Sequence, residues 1–164
     1  MKYYYDTFST PMGEFSVAVD EAGAVVATTF GSTARLGQRL DEHDLVRNAQ
    51  RTARARREVT EFFSGRRRRF TLPLAPSGTP FQKRAWSVLE AIPFGQTRTY
   101  GQVAEALGDR RLARAVGRAS AANPVCLLVP CHRVIGAGGA LTGFAYGMEL
   151  KRRLLQHEQK GSVA

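Results

Sequence analysis

The residues with the clearest chemical potential are Cys131 and His132, which directly follow an apolar run at residues 125 to 129. A free thiol is only a few per cent ionised near neutral pH. An imidazole can take up its proton, directly or through water, and so raise the thiolate fraction. Adjacent residues of an extended chain point to opposite sides, so His132 can serve Cys131 only where the backbone turns or a water bridges them. A carboxylate should orient the imidazole, and Glu158, at the end of the last predicted helix, is a candidate.

The cysteine and histidine content excludes several other kinds of site. The chain has two cysteines, Cys126 and Cys131, and three histidines, too few for a disulfide framework. A structural zinc needs about four soft ligands at recognisable spacing, so no metal or cofactor is expected. The N-terminal segment lacks the apolar core of a secretion signal, which predicts a cytoplasmic protein. A bare Cys-His pair also occurs by chance, and its function depends on the surrounding sequence.

Composition and charge point to a folded protein with an anionic partner. The chain has 164 residues, of which 43% are apolar, so it is long enough for one ordinary domain or two small ones. Its net charge is +10 and its pI is near 10.4. Such a surface attracts polyanions, of which nucleic acid is the commonest. Binding to an anionic membrane and a basic surface with no partner are the alternative interpretations. No apolar segment is long enough to span a bilayer.

The first half of the chain has the pattern of a small α/β domain. Residues 1 to 30 predict a three-stranded antiparallel meander, and residues 33 to 64 predict helix. The run Arg66 to Arg69 is interpreted either as a phosphate clamp or as solvated surface, of which the second is favoured because charge runs usually mark solvated surface. The Pro-, Gly- and Ser-rich segment at 75 to 80 then predicts a domain boundary, with domains at 1–75 and 76–164.

The second half predicts short helices in a helix-turn-helix arrangement. Thr79, followed by Pro80, predicts the start of one helix, and Thr99 caps a second that ends at Gly108. A third helix is predicted from 110 to 122 and a last one from 148 to 157. On the third helix, arginines recur every four residues and small residues lie between them, which suits a nucleic-acid groove. A three-helix bundle would tolerate the same pattern. The arginines of this stripe are Arg110, Arg114 and Arg118.

The motifs together resemble those of the O6-alkylguanine-DNA alkyltransferase family. The most specific is Pro130-Cys131-His132-Arg133-Val134, the family's active-site signature. The similarity is dense from about residue 76 to residue 158 and faint in the N-terminal part. The other matching motifs are Gly78-Thr79-Pro80-Phe81-Gln82, Trp86, Ile92-Pro93-Phe94-Gly95, Thr99-Tyr100, Arg114-Ala115-Val116-Gly117, Asn123-Pro124, Lys151-Arg152, Leu154-Leu155 and His157-Glu158.

The resemblance implies an α+β protein with a ribonuclease H-like N-terminal α/β domain, its sheet antiparallel, and a winged-helix C-terminal domain. Members bind duplex DNA through the minor groove, flip the damaged guanine into a pocket and transfer its alkyl group to a cysteine. The resulting thioether is permanent, so each molecule works once. The implied partner is duplex DNA carrying O6-alkylguanine, or O4-alkylthymine, bound by a monomer, and no membrane is expected.

The resemblance also implies a role for individual residues. His132 acts as a base through water, Glu158 completes the relay and Asn123 shapes the turn near the thiol. Tyr100 donates a proton towards the leaving guanine and crowds the neighbouring phosphate, and Arg114 fills the gap left by the flipped base. The implied catalytic set is Cys131, His132, Glu158, Asn123 and Tyr100. The implied DNA-binding set is Arg114, Tyr100, Thr99, Ala115, Gly117 and Arg118. The implied substrate pocket is Cys126, Val134, Phe144, Ala145 and Tyr146.

The chain departs from the family pattern at several pocket positions. Many relatives have Tyr at the position of Phe144, and some have Ser at the position of Ala145, so side-chain hydrogen bonds to guanine are not expected from these two residues. Cys126 lies where some relatives have proline, and it is interpreted as pocket wall or core. Arg118 occupies a position that is often small, which suggests an added phosphate contact.

Three other functions are consistent with parts of the pattern. Alkyltransferase-like proteins bind lesions without repairing them, but they replace the reactive cysteine, and Cys131 is present here. A transcription regulator would use the helix-turn-helix together with a regulatory domain, for which 164 residues leave no room. A thiol hydrolase would need an oxyanion hole and turnover.

Overall fold

The computed structural model describes residues 1–162, and the chain divides into two units. The N-terminal unit consists of Met1–Ser77 together with Pro124–Cys126, and the C-terminal unit consists of Gly78–Asn123 and the chain from Leu127 onward. The segment Pro124–Cys126 joins the N-terminal unit because the Thr28 amide donates to the Pro124 carbonyl at 2.9 Å. The domain boundary between 75 and 76 stays a prediction.

The N-terminal unit is built on a four-stranded mixed sheet. Its strands are β1 (Tyr3–Thr10), β2 (Gly13–Val19), β3 (Val25–Phe30) and β4 (Leu45–Arg47), in the order β3-β2-β1-β4. Strands β1, β2 and β3 form antiparallel pairs, which confirms the predicted meander, whereas β4 pairs with β1 in parallel. The sheet is therefore not wholly antiparallel. Glycine suits the tight turn between β1 and β2, where Gly13 has a φ of +100°.

The segment predicted as one helical region, 33 to 64, contains two separate helices. These are α1 (Thr33–Gly37) and α2 (Ala53–Phe63), and a 3-10 turn at Glu42–Asp44 and strand β4 lie between them. The prediction was wrong for residues 38 to 52. Strand β2 is buried on both faces, with Phe15 and Val17 fully buried on one and Ala18 packed with Leu36 of α1 on the other.

The C-terminal unit is mainly helical. Its elements are α3 (Pro80–Glu90), β5 (Arg98–Thr99), α4 (Tyr100–Ala106), α5 (Ala113–Ala121), β6 (Val134–Ile135) and α6 (Met148–Ser162), with β5 and β6 paired in parallel. Thr79 and Thr99 form capping boxes with Gln82 and Gln102, so the predicted starts of α3 and α4 are confirmed. Among the described residues, no helix has the length and apolarity to cross a membrane.

Helices α4 and α5 form the predicted helix-turn-helix, and Gly108 lies in the turn that follows α4, with a φ of +105°. The third helix predicted from 110 to 122 is not one α-helix. Its first turn, Arg110–Leu112, is a 3-10 helix capped by Asp109, and the α-helix covers only Ala113–Ala121. Helix α5 is held against α3 because the Trp86 indole N–H donates to the Ala119 carbonyl at 2.8 Å.

Candidate active site

Cys131 is positioned by a tight turn at the end of the apolar run. The Asn123 side-chain amide donates to the Val129 carbonyl at 2.9 Å, and the Cys131 amide donates to the same oxygen at 2.8 Å. Upstream, Leu127 has a φ of +73°, the one positive φ outside glycine in the described chain. Cys131 then begins a 3-10 helix that ends at Arg133, and its side chain is almost completely buried. The backbone therefore turns at the thiol, and Asn123 fixes the turn.

His132 and Glu158 form a buried pair next to this thiol. The His132 Nε2 lies 2.7 Å from the Glu158 Oε2, and both side chains are at most 1% exposed. Since the carboxylate accepts from Nε2–H, the lone pair of the ring lies on Nδ1. Nδ1 is buried and forms no hydrogen bond with any described protein atom. The ring therefore keeps one nitrogen available to accept a proton.

Arg133 completes the cluster, a role that the sequence did not predict. Its Nε donates to Glu158 Oε1 at 2.8 Å, and its Nη2 donates to Oε2 at 2.9 Å, which is a bidentate guanidinium–carboxylate pair. Its Nη1 donates to the Ile92 carbonyl at 2.7 Å. The position of Arg133 immediately after the Cys-His pair was the available signal.

The electrostatics of the cluster favour an ionised carboxylate beside a neutral imidazole. Burial alone would raise the pKa of Glu158, but its interactions with His132 and Arg133 outweigh burial and hold that pKa at about 2. Burial lowers the pKa of His132, and the charges of Arg133 and Lys151 lower it further, against the opposing effect of Glu158. At neutral pH the imidazole is therefore a free base.

Lys151 and Tyr100 meet at the carbonyl of Thr142. The buried Lys151 Nζ donates to the Val134 carbonyl at 2.5 Å and to the Thr142 carbonyl at 2.8 Å. The Tyr100 hydroxyl donates to the same Thr142 oxygen at 3.0 Å. Burial raises the pKa of Tyr100 and outweighs the opposing effect of its hydrogen bond to Thr142. Tyr100 therefore stays protonated at neutral pH and can donate.

The structural role of Lys151 was also missed, although α6 carries a signal for it. Residues 151, 154 and 158 are spaced three and four residues apart along the helix and are all buried, so they lie on the same face of α6. Burial lowers the pKa of the Lys151 ammonium. Lys151 therefore ties the loop after the active-site turn to the helix that carries Glu158.

The predicted pocket residues lie in different surroundings. Val134 is fully buried in β6, and Phe144 is buried against Tyr146 with their ring centroids 5.5 Å apart. Ala145 is exposed. Cys126 belongs to the N-terminal unit, where its sulfur lies 3.5 Å from the Thr28 hydroxyl and its carbonyl accepts from that hydroxyl at 2.7 Å. The structure thus favours the core interpretation of Cys126 over the pocket one.

The predicted nucleic-acid-binding residues lie at the end of β5, on α4 and on α5, but the arginine stripe is shorter than expected. Arg114 and Arg118 are exposed one turn apart on α5, whereas Arg110 pairs with Glu105 of α4. The stripe of three is therefore corrected to two, because the 3-10 turn precedes α5 and Glu105 neutralises Arg110. Gly117 faces the Tyr100 ring, where an added Cβ would lie 3.8 Å from a ring carbon. Thr99 caps α4 and Ala115 lies half-buried on α5.

We expect Glu158→Gln to destabilise the protein strongly. A glutamine cannot carry the charge that balances Arg133, and leaving one member of a buried ion pair uncompensated costs about 3–5 kcal/mol. Urea unfolding measures this loss. Exposed Glu149 on the same helix pairs with Arg152 at 2.5 Å. The matched control Glu149→Gln should therefore cost less than about 1 kcal/mol.

The same variant should change the response of stability to acid. The pKa of Glu158 is lowered in the folded protein to about 2. The stability that Glu158 contributes is therefore present above its unfolded pKa of about 4.3 and is lost as the pH falls towards 2. Between these pH values the wild type should lose more stability than Glu158→Gln. Parallel losses in the two proteins, or equal costs for the two glutamine variants, would contradict a buried ionised Glu158.

Two family models match the chain and together cover nearly all of it. The DNA binding domain of 6-O-methylguanine DNA methyltransferase matches residues 80–160. The ribonuclease-like domain of 6-O-methylguanine DNA methyltransferase matches residues 3–76. The active-site turn, the helix-turn-helix and α6 as far as residue 160 fall within the first match.

Relatives of known name agree with these models. A methylated-DNA–protein-cysteine methyltransferase of Methanosarcina acetivorans is 40% identical over 156 residues, which cover 94% of this chain and 97% of the relative. The constitutive methylated-DNA–protein-cysteine methyltransferase of Bacillus subtilis is 40% identical over 162 residues, which cover 95% of each chain. Among solved structures, the Mycobacterium tuberculosis OGT in complex with DNA is 33% identical with a TM-score of 0.86, and the match covers 96% of this chain and 94% of that one.

Proposed function

The chain belongs to the 6-O-methylguanine DNA methyltransferase family, and from this membership we propose that Cys131 is the residue that accepts the alkyl group. The protein acts in DNA repair by transferring an alkyl group to cysteine, and DNA is its partner. The observation that carries the assignment of Cys131 is the His132–Glu158 pair beside it, with Nδ1 of His132 unpaired among the described residues.

Transfer begins with activation of the thiol. The Cys131 S–H gives its proton to Nδ1 of His132 through a water molecule, and the imidazolium that forms is stabilised by Glu158. The thiolate then attacks the alkyl carbon on the oxygen of the damaged base. A C–S bond forms, the C–O bond breaks, and the bonding electron pair leaves with the base. The product is a thioether, so each protein molecule reacts once.

Departure of the base requires a proton, because guanine is a poor leaving group as an anion. Tyr100 is the donor that the geometry supports, since its hydroxyl is protonated at neutral pH and bonded to the Thr142 carbonyl. Tyr100 regains its proton from solvent after the base has left. Lys151 holds the other side of the same carbonyl and keeps this loop in place.

The substrate is O6-alkylguanine in duplex DNA, with O4-alkylthymine as a second substrate that also carries an alkylated ring oxygen. The alkyl group lies within the base stack, so the base must rotate out of the helix at a cost of a few kcal/mol. Exposed Arg114 on α5 fills the space that the base leaves. Minor-groove readout is degenerate, which suits a monomer that acts in any sequence.

The test of this function is a titration of a duplex that contains a single O6-methylguanine. Increasing amounts of protein are added, and the guanine restored in the duplex is measured after nuclease digestion and chromatography. The restored guanine should rise in proportion to the protein, at one guanine per protein molecule, until the duplex is used up. Restoration of more than one guanine per protein molecule would indicate a hydrolase with multiple turnovers and would overturn the proposal.

We expect Tyr100→Phe to slow transfer from duplex DNA and from free O6-benzylguanine alike. Both reactions must expel the same guanine, and loss of a general acid costs roughly 100-fold or more. Single-turnover rates on the two substrates measure the effect. Tyr146→Phe is the matched control because it removes a hydroxyl from the predicted pocket and should preserve the rate within a few-fold. Normal transfer from the free base by Tyr100→Phe would remove Tyr100 from the leaving-group step.

A further inference from the structure

The N-terminal unit carries a concentration of arginines that the alkyl transfer does not use. Between residues 51 and 69 the chain has eight arginines against two glutamates. Helix α2 buries its apolar face, which includes Val59 and Phe62. Exposed arginines lie on the rest of the helix and on the segment that follows it. The set Arg54, Arg57, Arg66, Arg68 and Arg69 is called the α2 arginine surface.

Both glutamates of this segment are engaged in internal contacts. Glu58 is 1% exposed and accepts from the Thr71 amide at 2.8 Å and from the Thr71 hydroxyl at 2.9 Å. Burial would raise the pKa of Glu58, but these hydrogen bonds and the charges of Arg67 and Arg54 outweigh burial and lower it. Glu61 accepts from Arg67 Nη2 at 3.2 Å. The negative charges of Glu58 and Glu61 thus lie beneath or within the α2 arginine surface, and the charge that faces outward is positive.

The arginine run is held against α2 and is not a solvated tail. Arg67 lies with its side chain only 22% exposed between Glu61 and Glu58, and its Nη1 donates to the Arg69 carbonyl at 2.9 Å. Arg54 Nη2 donates to the Thr71 carbonyl, also at 2.9 Å. The backbone that carries Arg66 and Arg69 is therefore fixed on both sides. Among the described residues, the side chains of Arg66 and Arg69 form no ion pair.

We propose that the α2 arginine surface binds the phosphate backbone of duplex DNA, as a contact additional to that of α5. The proposal rests on the DNA partner of this family but not on alkyl transfer. Like charges held together repel one another, and a polyanion relieves that repulsion. The planar guanidinium matches a phosphate with two parallel hydrogen bonds, and a fixed backbone reduces the entropy lost on binding.

Duplex DNA fits this surface better than an anionic membrane does. A helix that lies on a membrane inserts an exposed apolar face between the lipids. The apolar face of α2 is instead buried in the core of its own unit, with Val59 and Phe62 at 0% exposure. The exposed face of α2 therefore consists mainly of charged and polar residues, with Ala53 as an exposed apolar residue. Phosphate contacts of this kind carry no sequence information, which suits a protein that searches all sequences.

The experiment compares two double variants of the full chain. Arg66→Gln/Arg69→Gln removes two charges from the α2 arginine surface, and Arg35→Gln/Arg39→Gln removes two exposed charges from the same unit outside it. Affinity for an undamaged duplex of about 30 base pairs, roughly three helical turns, is measured at several salt concentrations. Thermal unfolding midpoints verify that all the proteins are folded, and Arg66→Lys/Arg69→Lys tests whether positive charge is sufficient.

The slope of log affinity against log salt reports the number of phosphates neutralised, at about 0.9 for each contact. The Arg66/Arg69 glutamine variant should lower this slope by about 1 to 2 and weaken binding several-fold at low salt. The control and the lysine variant should keep the wild-type slope within about 0.3. The proposal is overturned if the two glutamine variants behave alike. It is also overturned if vesicles of anionic phospholipid bind the wild type and the control but not the Arg66/Arg69 glutamine variant, while the salt slope of that variant for DNA binding is unchanged.

The alkyl-transfer function is measured separately. The mass gain of wild-type protein with O6-benzylguanine requires no DNA, so it reports on Cys131 and not on the arginines. Mass gain with an unchanged salt slope would reject the α2 arginine surface alone. A reduced slope without mass gain would reject the proposed transfer and leave the surface in place.

Discussion

Cys131→Ala should abolish alkyl transfer while leaving DNA binding nearly intact. The thiol is the group that we propose as the alkyl acceptor, whereas the predicted DNA contacts lie on residues 99 to 118 and the additional proposed contact lies on the α2 arginine surface. Transfer is measured as the mass gained from O6-benzylguanine, and binding as the affinity for a duplex. We expect no mass gain and an affinity within a few-fold of the wild type.

The matched control is Cys126→Ala, which removes the other thiol of the chain. Cys126 lies against Thr28 in the N-terminal unit, so its loss should leave transfer stoichiometric. Truncation of a buried side chain should lower stability by roughly 1–2 kcal/mol because the interior is close-packed. Residual transfer in Cys131→Ala that maps to Cys126 would reverse the two roles.

Arg114→Ala should slow repair of duplex DNA far more than reaction with free O6-benzylguanine. If Arg114 replaces the extruded base in the stack, its loss returns part of the few kcal/mol needed for unpairing and unstacking. Each 1.36 kcal/mol corresponds to tenfold in rate, so a duplex-specific loss of roughly 10- to 1000-fold is expected. The free base needs no extrusion, and its rate should change little. Single-turnover kinetics on the two substrates measure both values.

Arg111→Ala provides the matched control for Arg114. Arg111 is an arginine of the preceding 3-10 turn, exposed and paired with Asp109 at 2.9 Å. Its removal changes the net charge by the same amount, so it corrects for general electrostatic attraction. Equal slowing of both substrates by Arg114→Ala, or a duplex effect as large in Arg111→Ala, would exclude the flipping role.

The parts of the fold that could be predicted are those with local signals. Thr79 and Thr99 each lie three residues before a glutamine, and the side chains satisfy the free amides at the starts of α3 and α4. The meander could be predicted because alternation and turns mark each strand. Strand β4 could not, since it has three residues and forms only by parallel pairing with β1. The sequence around it predicted a helix.

In the candidate site, too, local features could be predicted from the sequence and tertiary contacts could not. Cys131 and His132 are adjacent, but the bond from His132 to Glu158 spans 26 residues, and from the residues alone Glu158 is only a candidate carboxylate, which the family resemblance supports. The bidentate contact of Arg133 with Glu158 and the two carbonyl contacts of Lys151 depend on tertiary packing. No spacing rule gives them. Arg110 illustrates the opposite error, because a regular four-residue spacing placed it in a stripe that its ion pair with Glu105 removes.

The most direct test of single transfer to Cys131 is mass spectrometry of the protein after reaction with excess O6-benzylguanine, followed by peptide mapping. Single transfer to Cys131 predicts that each molecule gains one benzyl group, that the group lies on the peptide containing Cys131, and that no second group is added on longer incubation. An unmodified Cys131, a modified Cys126, or continued consumption of benzylguanine after one equivalent would contradict it.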